Sequence, residues 1–330
     1  MDNNQKLFID NFVKNPQKND AEFDLVLEKL NEFLLPFFNE IVQENNNAIF
    51  FDLKLVGDEY LGTNFDYLNA VNIMIETYYA NMEDLSYSQN REKKGEIGKL
   101  LVDTFNYNKS LLPTTETLIN LLFKYCTLKG QNLKLYRRKN CVYIRFLDYK
   151  FSLFFVEKKP NTSYLTFTIR GKKYNFDFNL MNKNLIEKNE QTNGNFFNLI
   201  RFYKIIENEL TLINKLKICA SRNLYFYENL LYNLPNELLN DNYIYDIFLK
   251  SYNYLLINFK EKKLNEFIDS SLDKLICDDY ELFAKPYITT RDIKLVLTNL
   301  KTFLNNFDEI FNQNQQSDET MKHLKSIKND

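Results

Sequence analysis

Between Ala21 and Val42 the apolar residues Phe23, Leu25, Leu27, Leu30, Phe33, Leu34 and Phe37 keep returning to one side of a 3.6-residue spiral, which predicts an amphipathic helix. Pro36 is a candidate kink within it. The polar run Glu44-Asn45-Asn46-Asn47 ends that pattern, and Ala48–Val56 (AIFFDLKLV) reads as a buried strand. After a loop holding Gly57 and Gly62, a second strand-like run covers Ala70–Tyr79. Helical spacing returns over Lys93–Phe105 and Pro113–Leu128, the latter with Thr114 or Thr115 as the N-cap. Three β-rich runs follow, Cys141–Leu147, Phe151–Val156 and Tyr164–Arg170, and Arg170-Gly171-Lys172 turns the chain into Tyr174–Phe178. From Asn195 onward the pattern is helical. Phe196, Phe197, Ile200, Tyr203, Lys204 and Glu207 begin a helix reaching about Leu216, and others are expected over Leu224–Leu234, Tyr243–Phe259, Leu264–Ile276 and Thr290–Phe311.

This order predicts an α+β chain: an N-terminal helix leading into a small mixed sheet with flanking helices over residues 1–190, then a helical bundle over 191–311 that closes one side of a cleft. Residues 312–330 are a polar tail expected to be disordered. The 45% hydrophobic content of 330 residues is ample for a core. Abundant Phe, Tyr, Asn and Lys with no Trp and few Gly or Pro reflect an AT-rich genome, a statement about source and not function.

Net charge is −2, so no global field points to nucleic acid or an anionic membrane, and any anion site must be local. Cys126, Cys141, Cys219 and Cys277 form no CxxC, and His323 is the only histidine. A Cys/His zinc site and a Ser–His or Cys–His nucleophile therefore lack their residues. The start MDNNQKLFIDNF does not read as a signal peptide, and no run approaches the roughly 18 apolar residues of a membrane span. Unpaired cysteines suit a reducing compartment, so the expected location is the cytoplasm.

Three ordered segments carry a resemblance. Gly57–Asn64 (GDEYLGTN) is similar to a "GS…GTN" phosphate loop, Asn189–Lys204 (NEQTNGNFFNLIRFYK) to an "N…NG…F…I.R..K" entry into a helical domain, and Asn223–Pro235 (NLYFYENLLYNLP) to a later helix ending in an "N.P" turn. Together they resemble the nucleotidyltransferase superfamily of poly(A) polymerases, oligoadenylate synthetases and bacterial cyclic-oligonucleotide synthetases, with the nearest likeness to nucleotidyltransferase-like proteins of mycoplasma-type bacteria. Such enzymes need three carboxylates around two Mg²⁺ ions. The resemblance places two of them two residues apart on the strand after the phosphate loop, where period 2 points both to one face, and the third on a later strand. Those positions hold Ala70, Asn72 and Ser152, all neutral, and Asp58 stands where a small phosphate-touching residue belongs. An aspartate there repels a triphosphate.

Asp66, Glu76, Asp148 and Asp177 are the nearby acids, with Asp66 and Asp177 the candidate substitutes for a relocated metal site. As the resemblance implies, Gly57, Gly62, Thr63, Lys204 and Tyr225 are candidate ligand-binding residues, Lys204 through its charge and Tyr225 through its ring, while Glu228 is structural. Leu224 stands in place of a serine. No GK[ST] follows Gly62-Thr63-Asn64, which excludes a Walker loop. Basic clusters Arg137-Arg138-Lys139, Lys158-Lys159 and Lys172-Lys173 lie at strand ends near Tyr136, Tyr143 and Tyr174. Their ordinary meaning is a charged sheet edge, and their functional one an RNA-binding rim.

The expected function is thus a catalytically inactive nucleotidyltransferase-like protein serving as a regulatory, scaffolding or nucleotide-sensing subunit. Its expected partner is a protein, an active nucleotidyltransferase among the candidates, and no metal or other cofactor is expected. The alternatives are a divergent Mg²⁺-dependent nucleotidyltransferase using relocated acids, and an RNA-binding module.

Overall fold

The computed structural model describes residues 3–14, 20–45, 49–56, 61–63, 71–79, 114–129, 133–138, 141–147, 149–158, 165–169, 172–212, 225–271 and 288–307. A seven-stranded mixed sheet forms the centre of the first half. Its strands are β1 (Ile49–Val56), β2 (Val71–Tyr79), β3 (Lys134–Arg138), β4 (Cys141–Phe146), β5 (Tyr149–Lys158), β6 (Leu165–Ile169) and β7 (Lys172–Phe176). The main order is β1-β2-β5-β4-β3, with β6 beside the far end of β5 and β7 beyond it. The β2–β5 pair is parallel and every other pair antiparallel.

The two faces of this sheet belong to different cores. Ile49, Val71, Ile73, Ile75, Val142, Ile144, Phe151, Leu153 and Phe155 point one way, into a cluster with α2 (Asp20–Glu44) and α3 (Thr115–Lys129). The alternate residues Val56, Met74, Cys141, Phe154 and Val156 point the other way, toward the helical part of the chain. Strands buried on both faces lose strict alternation, which is why β5 reads as the apolar run Phe151–Val156, interrupted only by Ser152. Thr114 caps α3, accepting from the Thr117 N–H at 3.2 Å, one of the two caps expected. Pro36 lies inside α2.

The helical part comprises α4 (Phe178–Gln191), α5 (Asn195–Leu212), α6 (Phe226–Tyr232), α7 (Ile244–Lys260) and α8 (Thr290–Asn305). α1 (Asn3–Lys14) joins it and not the sheet: Ile9 and Val13 are in its core, Lys6 pairs with Asp246 at 2.7 Å, and Asp10 accepts from the Ile244 N–H at 2.8 Å. That last bond caps α7, whose own N-cap residue Tyr243 makes no side-chain cap. α8 begins on a capping box formed by Thr289 and Asp292.

Several boundaries differ from expectation. The helix expected over Leu264–Ile276 begins as a single 3₁₀ turn, Lys263–Glu266, and leaves the helical conformation by Phe267. β3 was not expected; KLYRR is an edge strand with one aliphatic residue and so carries no alternation signal. α4 was not expected either, because its buried stripe Phe178, Met181, Leu185 ends on a lysine, Lys188. The expected helix Lys93–Phe105 and the tail 312–330 lie outside the described residues. Among the described residues no helix is long and apolar enough to cross a membrane.

Candidate functional site

The register between strands determines which side chains meet at the inner sheet face. Asn72 on β2 is the partner of Ser152 on β5, Ser152 of Tyr143 on β4, and Tyr143 of Tyr136 on β3; on the other side Asn72 partners Val56. Partnered residues on adjacent strands share a face. The row Val56–Asn72–Ser152–Tyr143–Tyr136 therefore crosses the sheet on the side facing the helices. Two of the three positions that the resemblance marks for carboxylates stand side by side on neighbouring strands, and the third, Ala70, lies outside the described residues.

A divalent magnesium ion needs hard, charged oxygens in a near-octahedral array. A carboxamide and a hydroxyl supply none of that charge, and Ser152 is only 4% exposed. The donor set of this row does not fit the ion. Glu76 shares the face but lies four residues further along β2, about 13 Å at ~3.3 Å per residue. Its buried carboxylate is engaged by Lys54 at 2.8 Å and by the Tyr78 hydroxyl. Burial and that carboxylate push the Tyr78 phenol up to about 12. Asp177, expected as a substitute ligand, is the N-cap of α4 and accepts from the Leu180 N–H at 3.0 Å. Among the described residues no three of His, Cys, Asp and Glu gather as a ligand set; Asp58, Asp66 and Asp148 lie outside them.

The short piece of the phosphate-loop segment that is described, residues 61–63, docks onto the helices. Gly62 sits at φ +65°, a conformation an L side chain rarely takes, and its carbonyl receives two bonds from Arg201 of α5, from Nε at 2.9 Å and a terminal guanidinium nitrogen at 2.7 Å. Asn198 accepts from the other terminal nitrogen at 2.8 Å and so fixes the guanidinium plane. Next to this, Lys204 donates to Glu228 of α6 at 2.7 Å and to the Thr63 hydroxyl at 3.1 Å, while Thr63 donates to the same Glu228 oxygen at 2.8 Å. The lysine and glutamate side chains are 9% and 1% exposed. Lys204, expected to meet an anion from a ligand, has Glu228 as its counter-ion, and Thr63 is fully buried between them. Arg201, not among the candidate residues, holds the loop most directly.

Tyr225, a candidate either to stack on a base or to pack the core, is 1% exposed; its ring lies against Phe178 and its hydroxyl donates to Asn182 at 2.8 Å. In this arrangement it packs the α4–α6 contact. The Asn189–Lys204 motif is also structural at its start. Asn189 accepts from the Phe197 N–H through its side chain and from Gly194 through its carbonyl, both at 2.9 Å, and Gly194 takes φ +83° to turn α4 into α5. Gly57 lies outside the described residues.

The fold and the helical part have counterparts among known proteins. Residues 183–305 match the family model of the cGAS/DncV-like nucleotidyltransferase C-terminal helical domain. Among solved structures, the chain is similar to the Elizabethkingia meningoseptica CdnE cyclic dinucleotide synthase with GTP and Apcpp, at 13% identity and a TM-score of 0.57, covering 91% of this chain and 98% of that one. It is also similar to the Bradyrhizobium diazoefficiens CD-NTase CdnG in complex with GTP, at 8% identity and a TM-score of 0.56 over 93% and 92% of the two chains. A third, the E. coli MS115-1 CdnC with ATP, stands at 10% identity and a TM-score of 0.50 over 90% and 88%. No curated protein matches the sequence. The chain has the α+β fold of the cGAS/DncV-like nucleotidyltransferases, helical domain included.

Proposed function

We propose that this nucleotidyltransferase-like protein does not carry out metal-dependent nucleotidyl transfer and serves as a regulatory, scaffolding or nucleotide-sensing subunit. One observation carries the reading: Asn72 and Ser152 are register partners at the position where two metal-binding carboxylates are required. Without anionic oxygens gathered there, the reaction lacks what would polarise a triphosphate and activate a hydroxyl. What the chain's own residues do is hold a loop against two helices, which preserves a lobed architecture able to dock a partner or a ligand. The buried free thiol of Cys126 supports a reducing, cytoplasmic setting.

The second reading, a divergent active enzyme, is favoured by the structural neighbours: a cyclic dinucleotide synthase with GTP and Apcpp, a CD-NTase in complex with GTP, and a CdnC with ATP. It needs acids such as Asp66. Incubation with each nucleoside triphosphate and with Mg²⁺ or Mn²⁺, followed by chromatography, separates the two. Absence of product supports the proposal, and product that disappears in Asp66→Ala establishes the second reading. A rise in melting temperature with triphosphate that does not depend on metal identifies nucleotide sensing, because a ligand selective for the folded state raises the midpoint. No shift leaves partner docking.

A further inference from the structure

We infer that the edge of the inner sheet face, formed by β3, β4 and the start of β5, binds single-stranded nucleic acid, with Tyr136 as the platform for one base. This goes beyond the reading of the Asn72–Ser152 row and holds whether or not the cleft is catalytic.

The first observation is aromatic. Tyr136 and Tyr143 are register partners whose rings stack at 4.6 Å between centroids and 2° between planes. Tyr143 packs against the core shared with the helices, whereas Tyr136, on the edge strand, is 50% exposed. A half-exposed ring braced from behind by a second ring is a rigid surface on which a base can extend the stack.

The second observation is electrostatic. One pleat away on the same face, about 7 Å along the strands, Lys134 partners Arg145 and Arg145 partners Lys150. All three are exposed. Three exposed cations in register on adjacent strands offer an anion a line of charge-assisted donors. In a chain of net charge −2 this row is a local feature and not part of a general basicity. A base beside a line of negative charges is the chemistry of a polynucleotide, and an unpaired base is needed because a duplex hides its ring faces from a stacking side chain.

The sequence pattern pointed to a different set, the Arg137-Arg138-Lys139 cluster. Arg137 partners Val142, whose side chain lies in the cluster with α2 and α3, so Arg137 is on the opposite face from Tyr136. Lys134, Arg145 and Lys150 do share the face of the tyrosines.

Fluorescence anisotropy of a short labelled RNA homopolymer with the full chain tests the proposal. Binding is expected to weaken steeply with added salt. Tyr136→Ala should weaken it ~5- to 100-fold while Tyr136→Phe retains it. Lys134→Glu with Arg145→Glu should abolish it; if that pair lowers the melting temperature, Lys134→Gln with Arg145→Gln takes its place and should both weaken binding and flatten its salt dependence. Four results would overturn the proposal: no binding at low salt, unchanged affinity in Tyr136→Ala, duplex RNA bound as tightly as single-stranded, or displacement of the RNA by a mononucleotide at equal nucleotide concentration. The last would reassign the site to free nucleotides. Triphosphate turnover, measured separately, reports on the cleft and leaves this outcome unaffected.

Discussion

Two places, one where a loop segment meets the helices and one on the inner face of the sheet, differ in how they handle charge. Where residues 62–63 meet α5 and α6, the chain buries Lys204 against Glu228, surrounds the pair with Thr63, and adds a guanidinium on the Gly62 carbonyl. Where β2 meets β5, it presents Asn72 beside Ser152. A buried charge is tolerable when the protein supplies its counter-charge and hydrogen bonds. A metal site is the opposite case, since clustered carboxylates repel one another until an ion arrives. The fold thus carries buried charge where it neutralises that charge internally, and neutral groups where only an external ion could.

The largest effect is expected from breaking the charged region. Glu228→Ala leaves Lys204 buried without its counter-ion and should cost about 3–5 kcal/mol in denaturant unfolding. The double change Glu228→Leu with Lys204→Met should cost less than Glu228→Ala alone, because it removes both charges together. Equal losses would mean that the pair does not act as a unit. Arg201→Ala comes next: it removes the two bonds to the Gly62 carbonyl and should cost about 1.5–3 kcal/mol, with faster proteolysis at residues 61–63. By contrast, Asn72→Ala at the neutral row should change stability by no more than about 1 kcal/mol. A loss as large as that of Glu228→Ala would show a structural role for the row.

Lys188 sharpens the comparison from a third side. It is a buried cation that rests on oxygens and rings: it donates to the Leu234 carbonyl at 2.7 Å and to Asn236 at 2.9 Å, with the Phe196 and Tyr232 rings 5.7 and 5.5 Å away. Burial lowers its ammonium to about 8, with Glu237 pulling the other way. The unfolded chain therefore holds this proton more tightly from about pH 8 up to the ordinary lysine value of 10.5. The cost of burying the charge is fully present below that window and is relieved as pH rises through it. Measured against Lys188→Met, the protein should gain no more than about 1 kcal/mol between neutral pH and the upper part of the window. A difference that does not vary with pH would mean that Lys188 keeps its charge throughout.

Much of this was legible in the sequence. The α+β class, β1, β2, β5 and the long helices follow from apolar spacing, and the Asn189–Lys204 and Asn223–Pro235 segments do belong to the matched helical domain. Asn72 and Ser152 were named from motif spacing, and the parallel β2–β5 register brings them together. What was not legible depended on partners distant in sequence. Lys204 and Glu228 are 24 residues apart and Arg201 lies 139 residues from Gly62, so neither pairing leaves a periodic trace. Tyr225 appeared available because a ring's burial is decided by α4, itself hidden by Lys188 at the end of its apolar stripe. The facing of Arg137 against Lys134 and Tyr136 required the register of β3, a strand too short and polar to announce itself.

Titration with Mn²⁺, followed by electron paramagnetic resonance in the presence of a non-hydrolysable triphosphate, tests the central claim most directly. The protein as it stands should retain no stoichiometric Mn²⁺, and carboxylates introduced through Ala70→Asp, Asn72→Asp and Ser152→Asp should create a site. A stoichiometric ion bound by the unaltered protein, and lost in Asn72→Ala, would contradict that claim.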